Sequence, residues 1–345
     1  MGMSERLVLA LDGSTRVCSA ALLTSRRPAA TTVADPGPGD ADWKVVARRS
    51  ERDSRGQARV LLALVDEMLS EVGGGPRDLG AVVVGTGPGT FTGVRIAVAT
   101  GRALGLALAV PVLGVSTLAA LAVTGTSVLE RAAEGAGGPA VIGVGGGTVD
   151  PGAPAPLLVP VVDARRGQVF FGVYEATDEY SGGLGEEGQP VRRWARSGSF
   201  GVCDRDALGV VLAGPALIVA EDCGLVSGLP AGTVVMTADV QAEQLVLGQR
   251  HLDEPGEAPA GRRCESWLSG MVYGAPAGMA CGAPTGRASW GPGEERAGAP
   301  RPGDVGTPES VKPIYVRSPD ADVHITKMRD PWAADAGRGN LTGGR

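Results

Sequence analysis

Residues 7–24, "LVLALDGSTRVCSAALLT", consist of two apolar runs separated by a polar Gly-Ser turn, a pattern that predicts a β-hairpin. A third strand is predicted around "WKVVARR", after a proline-bearing stretch at 26–42 that shows no period and reads as a disordered insertion. From Gln57 to Val72 the apolar positions Val60, Leu61, Leu64, Val65, Met68, Leu69 and Val72 recur at helical spacing. They predict a first helix over 57–72, which "GGGP" at 73–76 stops. "LGAVVVG" (79–85) predicts a buried strand, and a Gly-rich loop then leads into a second helix over 93–109. Residues 1–110 thus read as one βββαβα subdomain.

A second subdomain is expected over 111–250, opening with the short strand of "VPVLGVS" and a helix, and interrupted by insertions at 125–156 and 180–190. "LLVPVVDARRGQVFFGVYEA" (157–176) reads as two strands around a turn, like the start of the chain, and suggests a duplicated architecture. Strands are predicted at 209–220 and 233–237 and a helix over 238–250. Residues 251–310, rich in Pro, Gly and Arg, read as a disordered insertion. Residues 311–345 hold a short ordered return segment, "VKPIYVRSP", and a tail. The apolar stretch from Ala103 to Val123 has the length of a bilayer span, but Pro111 and a strand-like segment interrupt it, so no membrane span is expected.

Composition narrows the function. The 345 residues carry a net charge of −6, which provides no global cationic field for a nucleic-acid backbone. Cysteines 18, 203, 223, 264 and 281 are odd in number and unpaired in spacing, and only five apolar residues follow Arg6 before Asp12, too few for a secretory leader. A reducing cytoplasm is the expected location. The two histidines, His251 and His324, have no Cys or carboxylate at ligand spacing, so no metal site is predicted.

Three motifs hold candidate chemistry. Asp12, Gly13 and Ser14 form a turn at a strand end where backbone N–H groups can face an anion while the carboxylate holds a cation or water, although Asp before Gly is also ordinary turn chemistry. Asp163 repeats this arrangement in "VVDARRG", with Arg165 and Arg166 in place of glycines. The loop "VGTGPGTFTGVRIA" (84–97) is compatible with an anion loop or a tight strand-to-helix connector, and it is neither a P-loop nor GxGxxG. Ser14 and Ser116 have no histidine partner in view, which argues against a hydrolase triad.

The segments "LALDGSTRVCSAAL", "GTGPGTFTGVRIAVATGRALGLALAVPVLGVSTLAALA", "PVVDARRGQVFFGVY" and "KPIYVR" together resemble the TsaB, or YeaZ, family. The resemblance implies an actin-like (ASKHA) α/β fold of two related βββαβα-type subdomains with long insertions. It also implies a subunit of the machinery that makes threonylcarbamoyladenosine beside the anticodon of tRNA. In that role the chain would have no catalysis of its own and would bind and activate TsaD directly, meeting the ATPase TsaE and tRNA through the complex. The metal ligands of TsaD would fall near Thr117 and Leu121, and neither can replace histidine on a catalytic metal. No cofactor is required on this reading, with ATP or ADP and magnesium confined to the complex. The partner surface is expected on the first two helices, at Leu61, Leu64, Val65, Met68, Val94, Val98 and Arg102, and the same helices could form a homodimer when TsaD is absent. The rival reading is an ATP-binding or ATP-hydrolysing enzyme with Asp12 and Asp163 around magnesium.

Overall fold

A computed structural model of the chain describes residues 6–26, 42–52, 57–133, 157–184, 190–212, 214–248, 252–253, 307–308 and 310–316. The first sheet has the order β3-β2-β1-β4-β5, built from β1 (Leu7–Asp12), β2 (Val17–Arg26), β3 (Asp42–Arg52), β4 (Leu79–Gly85) and β5 (Val112–Val115). β1 pairs antiparallel with β2 and parallel with β4, so its buried run "LVLALD" occupies the sheet centre. The helices α1 (Gln57–Glu71) and α2 (Phe91–Leu108) cover the outer face of this sheet. Each strand feeds both layers by its two-residue period: Leu9 and Leu11 face α1 and α2, whereas Val8 and Ala10 face the opposite core.

The second half repeats this plan. Its strands are β6 (Leu157–Arg165), β7 (Gln168–Phe171), β8 (Tyr174–Leu184), β9 (Pro190–Arg196), β10 (Gly201–Asp204), β11 (Ala216–Ala220) and β12 (Val234–Thr237), with a two-residue β13 (Leu252–Asp253) beside β9. The path β10-β7-β6-β11-β12 has the same strand order and the same parallel and antiparallel senses as β3-β2-β1-β4-β5. β8 continues β7 in one register along β6, since Val161 faces Phe171 and Leu158 faces Tyr174. Between the sheets lie α3 (Thr117–Ala133), packed on β6 and β11, and the short α5 (Gln244–Leu247). The four-residue α4 (Leu208–Val211) covers the far face of the second sheet.

Several expectations need correction. β5 pairs with β4, so the first sheet extends past the expected limit of the first subdomain at residue 110. α3 runs through residues 125–133, which were read as the start of an insertion; Gly125 is accommodated because a Cβ there would meet Leu158 and Val219, which makes it a close-packing position. The single strand expected at 209–220 is a short helix followed by a strand from Ala216, because Gly214 and Pro215 break the apolar run. The helix expected over 238–250 narrows to four residues. Of the polar tip expected at 180–190, residues 180–184 end β8 and Pro190 opens β9, which pair with each other, and 185–189 lie outside the described residues. Residues 311–316 form no strand of either sheet. The insertions read as disordered fall, at 27–41, 134–156 and 254–306, outside the described residues.

α2 is long and apolar enough to cross a bilayer by composition. Its packing is that of a core helix on one side: a Cβ on Gly101 would lie 2.2 Å from Val84, and one on Gly105 2.2 Å from Val112. Glycine at these positions lets the helix axis approach the sheet closely.

Candidate functional site

Asp12 ends β1 and is fully buried. Its Oδ1 accepts hydrogen bonds from the Ser14 N–H (3.0 Å) and the Ser14 hydroxyl (2.8 Å), and its Oδ2 accepts from the Thr117 hydroxyl (3.1 Å). Burial raises its pKa to about 6, against these hydrogen bonds, which pull it down, and with a smaller upward push from Glu221. Every oxygen of this carboxylate is therefore engaged by the chain itself. Gly85 allows the arrangement, since a Cβ there would lie 1.8 Å from Asp12 Oδ2.

The loop after β4 is a tight connector. The Thr90 N–H donates to the Ser14 carbonyl (2.6 Å), the Gly87 N–H donates to the Thr117 hydroxyl (3.1 Å), and the Thr117 N–H donates to the Gly87 carbonyl (2.8 Å). The Ile314 N–H donates to the Thr86 carbonyl (2.7 Å), so the return segment straps the same loop from outside. Gly13 backs onto α2, where a Cβ would meet the Gly93 carbonyl at 3.3 Å. A Cβ on Gly89 would lie 2.2 Å from the Ser14 carbonyl oxygen, which is backbone and cannot swing aside. Gly89→Ala should therefore force the loop off the Asp12 turn and lower stability by about 2 kcal/mol or more. Thermal unfolding of the variant reads this directly, and an unchanged midpoint would contradict it.

Asp163 is held differently. Its Oδ1 accepts from the Arg165 N–H (2.8 Å) and from Arg205 Nη2 (3.3 Å), and Arg165 Nη1 lies 3.4 Å from Oδ2. Arg165 and Arg166 both have positive φ, 65° and 55°, which side chains other than glycine adopt only at a cost. Glu221, directly after β11, stands between the two turns. Its Oε1 accepts from the Arg16 N–H (3.5 Å). Burial, the largest influence, pushes the Glu221 carboxyl up, with a further push from Asp163. Glu221 was not foreseen from sequence, and its only signal is a charged residue at the end of a wholly apolar strand.

No group of three or more His, Cys, Asp or Glu able to hold a metal occurs among the described residues. The two positions where a metal would be bound by analogy do not fit one: Thr117 is committed to Asp12 and Gly87, and Leu121 is fully buried in the core.

The surface of α1 and α2 differs from expectation. Leu61, Leu64, Val65, Met68, Val94 and Val98 are all buried against their own sheet, because the apolar stripe that made them conspicuous is the stripe the sheet needs. They offer nothing to a partner. The outward stripe of α2 is Phe91 (38% exposed), Arg95, Ala99, Ala103 and Leu106 (62% exposed), with Arg102 half-buried beside it. α1 presents Leu62 (50% exposed) with Asp66 and Glu67. Tyr315 of the return segment joins this face: its hydroxyl accepts from Arg95 Nε (2.9 Å), and the Arg95 guanidinium lies 3.6 Å above the Phe91 ring.

Residues 50–148 match the family model for TsaD, tRNA N6-adenosine threonylcarbamoyltransferase. The chain is 34% identical over 126 residues to the tRNA threonylcarbamoyladenosine biosynthesis protein TsaB of Bacillus subtilis, covering 36% of this chain and 42% of that one. It is 29% identical over 184 residues to TsaB of Escherichia coli, covering 53% of this chain and 61% of that one. The chain is similar to members of the TsaB/YeaZ family. It spans about two fifths of the Bacillus protein's length and three fifths of the Escherichia protein's. Among solved structures it is similar to YeaZ from Pseudomonas aeruginosa, at 28% identity with a TM-score of 0.43, over 70% of this chain and 89% of that one. The stretch matched by the TsaD model contains α1, β4, α2, β5 and α3, so it includes both the Asp12-facing loop and the exposed α2 stripe.

Proposed function

We propose that this protein is a scaffold subunit, without catalysis of its own, in the synthesis of tRNA threonylcarbamoyladenosine, and that it binds and activates TsaD. The observation that carries this reading is the outer face of α2, where Phe91, Leu106 and the alanines between them stay exposed while the helix's inner side fills its own core. An apolar helix face of this kind, edged by Arg95 and Arg102, is suited to packing against helices of another subunit. TsaE and tRNA join through the complex rather than through this chain. The two matching sheets support an actin-like architecture of two subdomains, with the boundary after β5 rather than at residue 110. The engaged carboxylate of Asp12 speaks against the rival ATP-using enzyme, since magnesium would have to displace both Ser14 and Thr117. No cofactor of its own is needed on this reading, ATP or ADP with magnesium belongs to the assembled complex, and the cytoplasm is the location.

The same helices support a homodimer when TsaD is absent. α1 offers Asp66 and Glu67 and α2 offers Arg95 and Arg102, so a two-fold axis would set each acidic face against a basic one. Size-exclusion chromatography with light scattering, alone and with TsaD from the same organism, tests both states. A hetero-complex that replaces the homodimer is the expected result, and Arg95→Glu should weaken both.

A further inference from the structure

Tyr315 is an exposed aromatic residue whose neighbours in the return segment anchor it. The Ile314 N–H donates to the Thr86 carbonyl at 2.7 Å, and Val311 is buried where a Cβ on Gly114 would lie 3.1 Å from it. Pro308 sits where a Cβ on Gly105 would lie 3.2 Å from it. The segment thus passes along α2 from Gly105 to Phe91, with Tyr315 at the N-terminal end of the helix. The Tyr315 and Phe91 ring centroids are 5.8 Å apart. The Tyr315 hydroxyl accepts from Arg95 Nε at 2.9 Å, and the Arg95 guanidinium carbon lies 3.6 Å from the Phe91 centroid. An exposed arginine ordinarily samples many rotamers, but here stacking on Phe91 fixes the plane of the guanidinium and the hydrogen bond fixes its rotation within that plane. Its Nη1 and Nη2 have no partner among the described residues. Two coplanar donors held in this way match the two oxygens of a carboxylate. A nucleic-acid backbone would call for several cations in line, whereas α2 has only Arg95 and Arg102, set among Phe91, Ala99, Ala103 and Leu106, and the neighbouring α1 presents Asp66 and Glu67.

We propose that Phe91, Arg95 and Tyr315 form a receptor for one carboxylate side chain of the docking partner, an Asp or Glu set among apolar residues of its helix, and that Tyr315 is the positioning residue that aims the Arg95 fork. The inference rests on the docking of TsaD on the outer face of α2 and adds the chemistry that TsaD must present there. Because the fork is ordered before the partner arrives, binding does not carry the cost of immobilising a long side chain. The return segment thereby belongs to the partner surface, although Tyr315 stands 220 positions from Arg95 in the chain.

A double-mutant cycle in the full chain, read as affinity for TsaD from the same organism, tests it. Arg95→Lys, which keeps the charge and loses the fork, should weaken binding about tenfold. Tyr315→Phe, which keeps the ring and loses the hydroxyl, should weaken it about threefold or more. The double variant should bind no more weakly than Arg95→Lys alone, because Tyr315 acts through Arg95. Both positions are exposed, so the variants should melt with the natural chain. Affinity unchanged in Arg95→Lys, or losses that add in the double variant, would overturn the receptor and leave the docking intact. Absence of binding by the natural chain would overturn the docking and the receptor with it. Binding of tRNA by the natural chain alone, lost in Arg95→Gln, would place phosphate on the fork and overturn the carboxylate assignment.

Discussion

Met68→Asp is expected to unfold the protein, whereas Leu106→Asp should leave its melting curve nearly unchanged and remove its affinity for TsaD. Met68 is fully buried in the apolar cluster that also holds Leu9, Leu22 and Leu61. An unpaired charge at such a site costs several kcal/mol, comparable to the roughly 5–15 kcal/mol that holds a domain together. Leu106 is 62% exposed, so a charge there costs the free protein little but would be desolvated when a partner helix packs on it. The pair separates two readings of one apolar pattern. Were Met68→Asp folded and deficient only in binding, the inner stripe would be the docking face and the burial described above would be wrong.

Asp12→Asn should stabilise the protein at pH 7 and make almost no difference at pH 3. The carboxyl has an ordinary pKa of 3.8 and is raised to about 6 in the folded chain. Between these values the native state holds a proton that the unfolded state has released, so the contribution of this group to stability falls as pH rises. Well below pH 3.8 both states are protonated and the group contributes nothing. Above pH 6 the full cost of ionising a buried carboxylate is present, roughly 3 kcal/mol from the shift in pKa. Asparagine keeps an oxygen for the two Ser14 donors and carries no charge, so the variant should lack this fall. Urea unfolding of both proteins from pH 3 to pH 7 measures the difference, in which the other titrating groups cancel. A variant less stable than the natural chain at pH 7 would mean that the negative charge is matched by a cation, and would revive the enzyme reading.

Much of the fold was legible in the sequence because its first half follows simple periods. The alternation of "LVLALD", the helical spacing of Leu61, Leu64, Val65 and Met68, and the stop at "GGGP" each predict an element that the structure contains. The echo between the Asp12 and Asp163 hairpins likewise announced the repeated sheet order. The second half was less legible because α4 and α5 shrink to single turns whose packing, not periodicity, holds them: Leu245 and Val246 are fully buried in the four-residue α5. The partner face was misread for a related reason. A stripe of apolar residues states that something covers it but not what, and here the chain's own sheet covers Leu64 and Met68 while Leu62, Phe91 and Leu106 stay outside. Glu221 and Tyr315 escaped notice because each acts on residues more than two hundred positions away, Arg16 and Arg95, and no local pattern records such a contact.

The most direct test of the proposed role is calorimetric titration of the full-length protein into TsaD from the same organism, beside the Leu106→Asp variant confirmed to be folded. Saturable binding by the natural chain and its loss in the variant is the predicted result. Absence of binding by the natural chain at micromolar concentration, or equal binding by both, would contradict the docking of TsaD on the outer face of α2.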